Sequence, residues 1–254
     1  MMKTLFFASA TIWQREVIRY VRSPSRIIGS LGMPFFFLAF LGIGMQSAFA
    51  LRPGGERYID FIAPGILGMV LLFSSTVAGI SVIWDRQFGF LKEMLVAPIP
   101  RLSIVLGRTV GGTTTASLQA LLMLGASIVL GVKPPSASGL LLALLFMALI
   151  GISFTSLGVA LASRMEDPHG FQLIFNFLIM PTFFLSGALF PVDQLPAFLR
   201  WAAYLNPLTY GVDGLRYALV GSARIGLAAD LAVLSVVSAL LLTIGAVLFR
   251  GARM

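Results

Sequence analysis

Charged residues are scarce in this sequence, and cysteine is absent. Only 11% of the 254 residues are charged, whereas a soluble domain carries about 25%. With 58% hydrophobic residues and a mean hydropathy of +0.95, most of the surface must face something other than water. Without cysteine there is no disulfide and no thiolate metal site. The single histidine, His169, cannot form a multi-histidine site, so we expect no bound metal.

The net charge of +8 points to a membrane surface rather than to nucleic acid. No soluble basic domain is left to bind a nucleic acid, which we exclude as a partner. Lys and Arg retained on the cytoplasmic side of a bilayer, facing anionic lipid, explain the charge instead. The apolar stretch near the N-terminus is short for a signal peptide and is soon followed by arginines, so we expect it to be retained.

Catalytic and nucleotide-binding motifs are missing from the sequence. The glycine-rich stretch 107–112 lacks the lysine of a phosphate-binding loop, and Gly107 with Gly111 suits close helix packing better. No HExxH or GxSxG motif occurs, and no span carries paired acids or a central ionisable group. We therefore predict that the chain is not an enzyme by itself and binds no cofactor.

Six apolar segments are long enough to cross a bilayer, which takes about 20 residues. They are continuously apolar, which favours helices over the alternating pattern of a strand barrel. The predicted fold is an all-α membrane protein with one transmembrane domain over residues 1–254. The spans are 27–51, 61–84, 103–132, 138–163, 170–192 and 229–249.

The distribution of Lys and Arg predicts the orientation. Six spans place both termini on one side, and twelve of the 18 basic residues lie on that side. Because basic residues are retained in the cytoplasm, both termini are predicted to be cytoplasmic. The long connection between the fifth and sixth spans is then external.

The N-terminal segment 1–26 is predicted to be an amphipathic helix at the membrane interface. Arg15, Arg19, Arg22 and Arg26 follow at helical spacing and share one face. The opposite face carries Phe6, Ala10, Trp13, Val17 and Tyr20. This pattern is typical of a helix lying in the interface. The alternative is a solvated basic face that only sets the orientation.

The cytoplasmic connection 84–101 is rich in large apolar residues as well as charges. Pro98 and Pro100 stop any helix there. We predict a short amphipathic helix that offers apolar side chains to a partner protein. A loop packed on its own bundle is the alternative.

The external segment 193–224 is predicted to form two short helices that dip into the outer leaflet. Asn206 and Pro207 are a helix start, because Asn caps free amides and Pro suits the first helical position. Asp213 and Arg216 can pair at i, i+3. The alternative is that the aromatic residues of this segment only anchor it at the membrane interface, which is compatible with the two short helices.

Three motifs together resemble the permeases of the ABC-2 type transporter family. They are Glu93-Met-Leu-Val-Ala-Pro98, FLSGALFPVDQLP after the fifth span, and Asn206-Pro207-Leu-Thr-Tyr210 with Asp213 and Arg216. The resemblance covers essentially the whole chain. It implies an exporter in the bacterial cytoplasmic (inner) membrane, with two permeases, expected to be a homodimer, and two copies of a separate ATP-binding subunit. ATP and Mg²⁺ would be held by that subunit.

The resemblance also implies roles for individual residues. A coupling helix would dock on the ATP-binding subunit through Arg86, Phe88, Gly89, Lys92, Glu93 and Pro98. An external gate would contain Pro191, Pro196, Asn206, Pro207, Asp213 and Arg216. The substrate path would include Asn176, Met180, Phe183 and Phe184. The cargo would be amphipathic, such as a drug, a lipid or a lipid-linked saccharide, and membrane lipids are further partners.

Two other functions are compatible with the residues. An ion-coupled carrier or channel would move its substrate without ATP or a partner. A lipid-modifying membrane enzyme would need acids or bases near an interface, and the external cluster of Asp193, Arg200, Asp213 and Arg216 is the only candidate.

Overall fold

The computed structural model describes residues 2–45 and 57–250, and these form helices and no strand. In chain order the α-helices are α1 Met2–Val21, α2 Pro24–Gly44, α3 Tyr58–Ala78, α4 Ser81–Gln87, α5 Phe90–Val96, α6 Arg101–Val129, α7 Ala137–Ser163, α8 Pro168–Leu185, α9 Ala197–Leu205, α10 Pro207–Val220 and α11 Leu227–Arg250. A 3₁₀ turn at Val192–Gln194 precedes α9.

The predicted all-α fold with six spans is confirmed. Six helices are long and apolar enough to cross a membrane, namely α2, α3 with α4 as one unit, α6, α7, α8 and α11. The fifth span ends at Leu185 rather than at 192, because Gly187 adopts a left-handed conformation with φ of 72° and turns the chain. Residues 46–51 of the predicted first span lie outside the described residues.

The ends of two spanning helices are fixed by side-chain caps. The Ser136 hydroxyl accepts a hydrogen bond from the Gly139 amide at 3.1 Å and starts α7. The Asp167 carboxylate accepts from the amides of Gly170 and His169, which lower the pKa of Asp167, and it starts α8. Both caps satisfy amides that a helix leaves free at its first turn.

Helix α3 is the centre of the bundle. Its residues Ile62, Ile66, Leu67 and Leu71 are fully buried, and α2, α6, α7 and α10 pack around it. The helices α3 and α7 come into backbone contact where Gly158 faces the Thr76 carbonyl, a site with no room for a side chain. Small residues allow such close approach in membrane bundles, where hydrophobicity alone does not hold helices together.

Helix α1 lies along the first half of α6. The residues Ser9, Ile12 and Glu16 of α1 contact Ser103, Gly107 and Gly111 in register, so the two helices run in the same direction. A Cβ added to Gly107 would lie 2.7 Å from Ile12, which confirms the close-packing role predicted for Gly107 and Gly111. The placement of α1 at a membrane surface stays a prediction.

The two short helices predicted between the fifth and sixth spans are present as α9 and α10. Along α10, Gly211 faces Ile150, Gly214 faces Phe146, and Ala218 faces Gly139 near the start of α7. Residues 139–150 of α7 extend about 16 Å along the helix axis. The hairpin therefore enters the bundle from one end and turns back near Asn206. Its depth in a lipid leaflet stays a prediction.

Candidate functional site

The connection between the second and third spans is a helix pair with an apolar outer surface. Gly89, at φ of 79°, turns the chain between α4 and α5. Phe88 and Val96 are 79% and 78% exposed, and Trp84 stacks on Phe88 with ring centroids 5.9 Å apart. We call the exposed residues Trp84, Phe88, Glu93, Val96 and Pro98 the docking surface.

The inner side of α5 fastens this surface to the bundle. Leu91 and Met94 are buried, while Glu93 points outward. The guanidinium of Arg15 lies 4.0 Å from the centroid of the Phe90 ring. Since one face of α5 is packed and the other is exposed, the amphipathic helix predicted here is present. The side chain of Lys92 lies outside the described residues.

Arg86 holds the same connection to the end of α7. Its two Nη atoms donate hydrogen bonds to the carbonyls of Met165, at 3.0 Å, and Ser163, at 2.9 Å. The neighbouring Gln87 donates to the Glu166 carbonyl at 3.2 Å. A cation on the free carbonyls after a helix is favourable. The structure thus places Arg86 at an internal contact, whereas Phe88, Glu93 and Pro98 lie on the docking surface.

A buried ion cluster behind the docking surface was missed by the sequence reasoning. Asp85 accepts from Arg15 at 2.9 Å and also pairs with Arg108, which is only 3% exposed. Arg108 further donates to the Ser81 hydroxyl at 2.9 Å. The cluster joins α1, α4 and α6. The signal in the sequence is that Asp85 lies at the end of the second span and Arg108 near the start of the third, so an acid and a base lie at adjacent ends of two neighbouring spans.

The hairpin between the fifth and sixth spans is held by Asn206. Its side chain caps α10 by accepting from the Leu208 amide at 3.0 Å, and it donates to the Thr182 carbonyl of α8 at 2.6 Å. Pro207 occupies the first turn of α10, so the predicted helix start is confirmed. Pro191 is buried in the turn before α9, and Pro196 is exposed where α9 begins.

The predicted pair of Asp213 and Arg216 is present and buried. Their closest atoms, Oδ1 and Nη1, are 3.6 Å apart. Asp213 also accepts from the amides of Arg224 and Ile225, at 2.9 and 2.8 Å. Arg216 donates to the Gly187 carbonyl at 3.0 Å. These bonds join α10 to the turn at Gly187, which precedes it in the chain, and to the segment at Arg224 and Ile225, which follows it.

Asp230 in the first turn of α11 is fully buried, and neither of its oxygens has a hydrogen-bond partner among the described residues. Burying a charged group without a partner is costly. We therefore expect Asp230→Asn to leave thermal stability unchanged or to raise it, and Asp230→Lys to lower it strongly. Thermal unfolding of the purified protein in detergent measures both. A lower Tm for the asparagine variant would show that the carboxylate has a stabilising role.

The residues predicted for the substrate path follow at i, i+4, i+7 and i+8 along one face of α8, but they differ in burial. Asn176 and Phe184 are exposed, and Asn176 accepts from Gln172 at 3.1 Å. Met180 is half-buried. Phe183 is buried and packs edge-on against Phe73 of α3, with ring centroids 6.3 Å apart. The role of these four residues in a substrate path stays a prediction.

The chain belongs to the ABC-2 type transporter family, whose model matches residues 8–220. This makes it a multi-pass membrane permease. It is 31% identical to Nodulation protein J of Rhizobium leguminosarum bv. trifolii, over 83% of this chain and 80% of that protein. It is 25% identical to the inner membrane transport permease YadH of Escherichia coli K12, over 87% of this chain and 86% of that protein. In the described residues no cluster of His, Cys, Asp and Glu could hold a metal ion.

Proposed function

We propose that this chain is the permease subunit of an exporter driven by a separate ATP-binding subunit. It would move an amphipathic molecule outward across the bacterial cytoplasmic membrane. The observation that supports this most is the docking surface, with its exposed apolar side chains on a firmly fastened helix pair. Exposed apolar patches of this kind mark contacts with other proteins. The family and the relative named as an inner membrane permease agree with it.

The connections of the docking surface explain how a partner's motion would reach the spans. Helix α4 continues α3, Arg86 bonds to the end of α7, and Pro100 leads directly into α6. A displacement of the surface is therefore transmitted to three spanning helices. The energy comes from the partner, which would hold ATP and Mg²⁺, because this sequence contains no phosphate-binding loop.

The assembly proposed is two permeases, as a homodimer, with two ATP-binding subunits and both termini in the cytoplasm. Helix α8 leaves Leu173, Phe177 and Phe184 exposed, a face suited to lipid or to the second permease. The hairpin α9–α10 would close the external end, with Asn206 linking it to α8. The cargo would pass along α3 and α8 toward that end.

Glu93 is the test residue for this proposal. Its side chain is exposed and has no hydrogen-bond partner among the described residues, so replacing that side chain should not disturb folding. We expect Glu93→Lys combined with Val96→Asp to reduce recovery of the ATP-binding subunit at least about tenfold, a loss of about 1.4 kcal/mol. Pull-down from solubilised membranes with mass spectrometry measures this, and transport should fall with it.

Glu166→Lys is the matched control, because Glu166 is an exposed acid on the neighbouring connection and lies off the docking surface. It should leave recovery of the ATP-binding subunit unchanged. If wild-type permease purified without any such subunit and still moved substrate, the ATP-driven mechanism would be wrong. If the docking-surface variant retained its partner, the partner would bind elsewhere.

A further inference from the structure

A cavity of about 260 Å³ lies among α1, α2, α3 and α6, and Ser81 of α4 and Met180 of α8 also line it. No residue of the docking surface or of the external hairpin is part of its lining. Its lining divides into a basic part and an apolar part. The residues Arg19, Arg26 and Arg108 are basic, and Met33, Met69 and Phe73 are representative of the apolar lining. We call it the α1–α2 cavity. Its volume is slightly below the range of small-molecule sites, about 300–1,000 Å³, so a ligand must be slender or extend beyond the opening.

The basic part of the α1–α2 cavity carries more positive than negative charge. Three arginines line it against one acid, Glu16. Arg19 pairs with Glu16, and Arg108 pairs with Asp85 behind the wall. Arg26 is exposed and has no acidic partner among the described residues, so its charge is available to a ligand. Arg26, the cation in the lining that has no acidic partner among the described residues, thus lies beside the junction of α1 and α2.

Buried polar atoms in the same wall also lack partners. The Nε atom of Arg108 has no hydrogen-bond acceptor among the described residues, although the residue is almost fully buried. Burial raises the pKa of the Tyr20 hydroxyl, and Gln119 and Arg26 act in the opposite direction. Tyr20 and Arg26 both line the cavity. A buried donor without a partner is costly, and an acidic group bound nearby would offset that cost.

The apolar part suits a flexible chain. Met33, Met69 and Met180 line it together with Phe73, and methionine side chains adapt to ligands of irregular shape. Each methylene group buried there would raise the affinity about fourfold. A small cavity with one cationic end and one apolar end matches a molecule that has one acidic group and a slender hydrocarbon chain. A bulky saccharide would not fit the volume.

We propose that the α1–α2 cavity binds an anionic amphiphile, with its acidic group at Arg26 and its apolar chain between α2 and α3. Two sources share this chemistry, a resident membrane phospholipid and a transported acidic lipid or drug. The second source rests on the proposed export function, whereas binding itself does not. The site meets the proposed path along α8 at Met180, which lines the cavity, and its basic part lies on the side of α1.

Binding is tested with a short-chain anionic lipid on the full-length protein in neutral detergent. Dioctanoyl phosphatidylglycerol should raise the Tm more than dioctanoyl phosphatidylcholine at equal concentration, since a ligand that binds the folded state stabilises it. Arg26→Gln should weaken binding of the anionic lipid about fivefold, the factor for about 1 kcal/mol from one basic residue facing an anionic lipid. Arg22→Gln should change nothing, because Arg22 is exposed and does not line the cavity.

A second variant tests the apolar part without removing a charge. Met33 is 58% exposed, so a tryptophan there can fill the opening without strain in the core. Met33→Trp should abolish the Tm shift from both lipids. The proposal would be overturned if the two lipids raised the Tm equally, both in the wild-type protein and in Arg26→Gln. It would also be overturned if Met33→Trp bound the lipids as the wild-type protein does.

Native mass spectrometry before and after ATP turnover of the complex separates the two sources. A resident phospholipid should stay bound at about one copy per permease, whereas a cargo should be lost on turnover. Both results support the site. Arg26→Gln and Met33→Trp should still co-purify with the ATP-binding subunit, since neither residue is on the docking surface. Arg26-dependent binding by a permease that recruits no such subunit would overturn the export function and leave this site standing.

Discussion

Gly158→Ala is expected to lower the free energy of unfolding by about 3 kcal/mol, at the upper end of the range for overpacking a close contact. The added methyl group would overlap the backbone carbonyl of Thr76, and no side-chain rotation can relieve a clash with backbone. Helix α7 would have to move away from α3, which is the most buried helix of the bundle. Thermal or denaturant unfolding of the purified protein in detergent measures the change.

Gly125→Ala is the matched control for this prediction. Gly125 lies inside α6, and a Cβ added there meets nothing within 4 Å. Alanine favours a helix interior over glycine by up to about 1 kcal/mol, so this variant should be neutral or slightly more stable. Similar losses in the two variants would mean that α3 and α7 can separate freely and that their contact does not hold the bundle together.

Asp85→Asn should cost about 3–5 kcal/mol, the usual price of leaving one member of a buried ion pair without the other. The change keeps the shape of the side chain and removes only its charge. Arg108 would then remain buried without the carboxylate that it pairs with, and Arg15 would lose its ion pair with α4. Because Arg15 also lies over Phe90, α5 should loosen as well. The measurable signs are a lower Tm and faster amide exchange in α1 and α5.

Asp167→Asn serves as the control for the loss of a carboxylate. Asp167 is exposed and caps α8, and asparagine caps about as well as aspartate, so stability should change by only a few tenths of a kcal/mol. Arg15→Ala should cost less than Asp85→Asn, because Arg15 is partly exposed and its removal leaves Asp85 paired with Arg108. Equal stability of wild type and Asp85→Asn would refute the role of this cluster.

The spans were predictable from the sequence because crossing lipid demands long runs without charge. The cap at Asn206, the pair of Asp213 and Arg216, and the glycines of α6 were also predictable, since each rests on contacts a few residues apart or on spacing along one helix. Features of this kind are predictable because the geometry of a single helix fixes which nearby residues contact one another. The amphipathic character of the connection after the second span follows from the same kind of pattern.

The cluster of Asp85 and Arg108 could not be predicted from the runs of residues without charge. Such a run ends at the first acid or base, so an ion pair buried at the end of a span always lies outside it. Partners about 95 positions apart, as in the contact of α1 with α6, leave no local pattern at all. The α1–α2 cavity is unpredictable for the same reason, since residues from six helices line it.

The pairing of α1 with α6 has a consequence for biosynthesis. The Ser9 hydroxyl bonds to the Ser103 carbonyl, and Trp13 bonds to Thr114, so α1 is made long before its partner exists. At about 5–20 residues per second, roughly 5–20 s pass between the two helices leaving the ribosome. During that interval Ile12, which packs against Gly107 in the finished protein, has no α6 to cover it. We expect α1 to wait on the bilayer surface and to join the bundle only after the third span has been inserted.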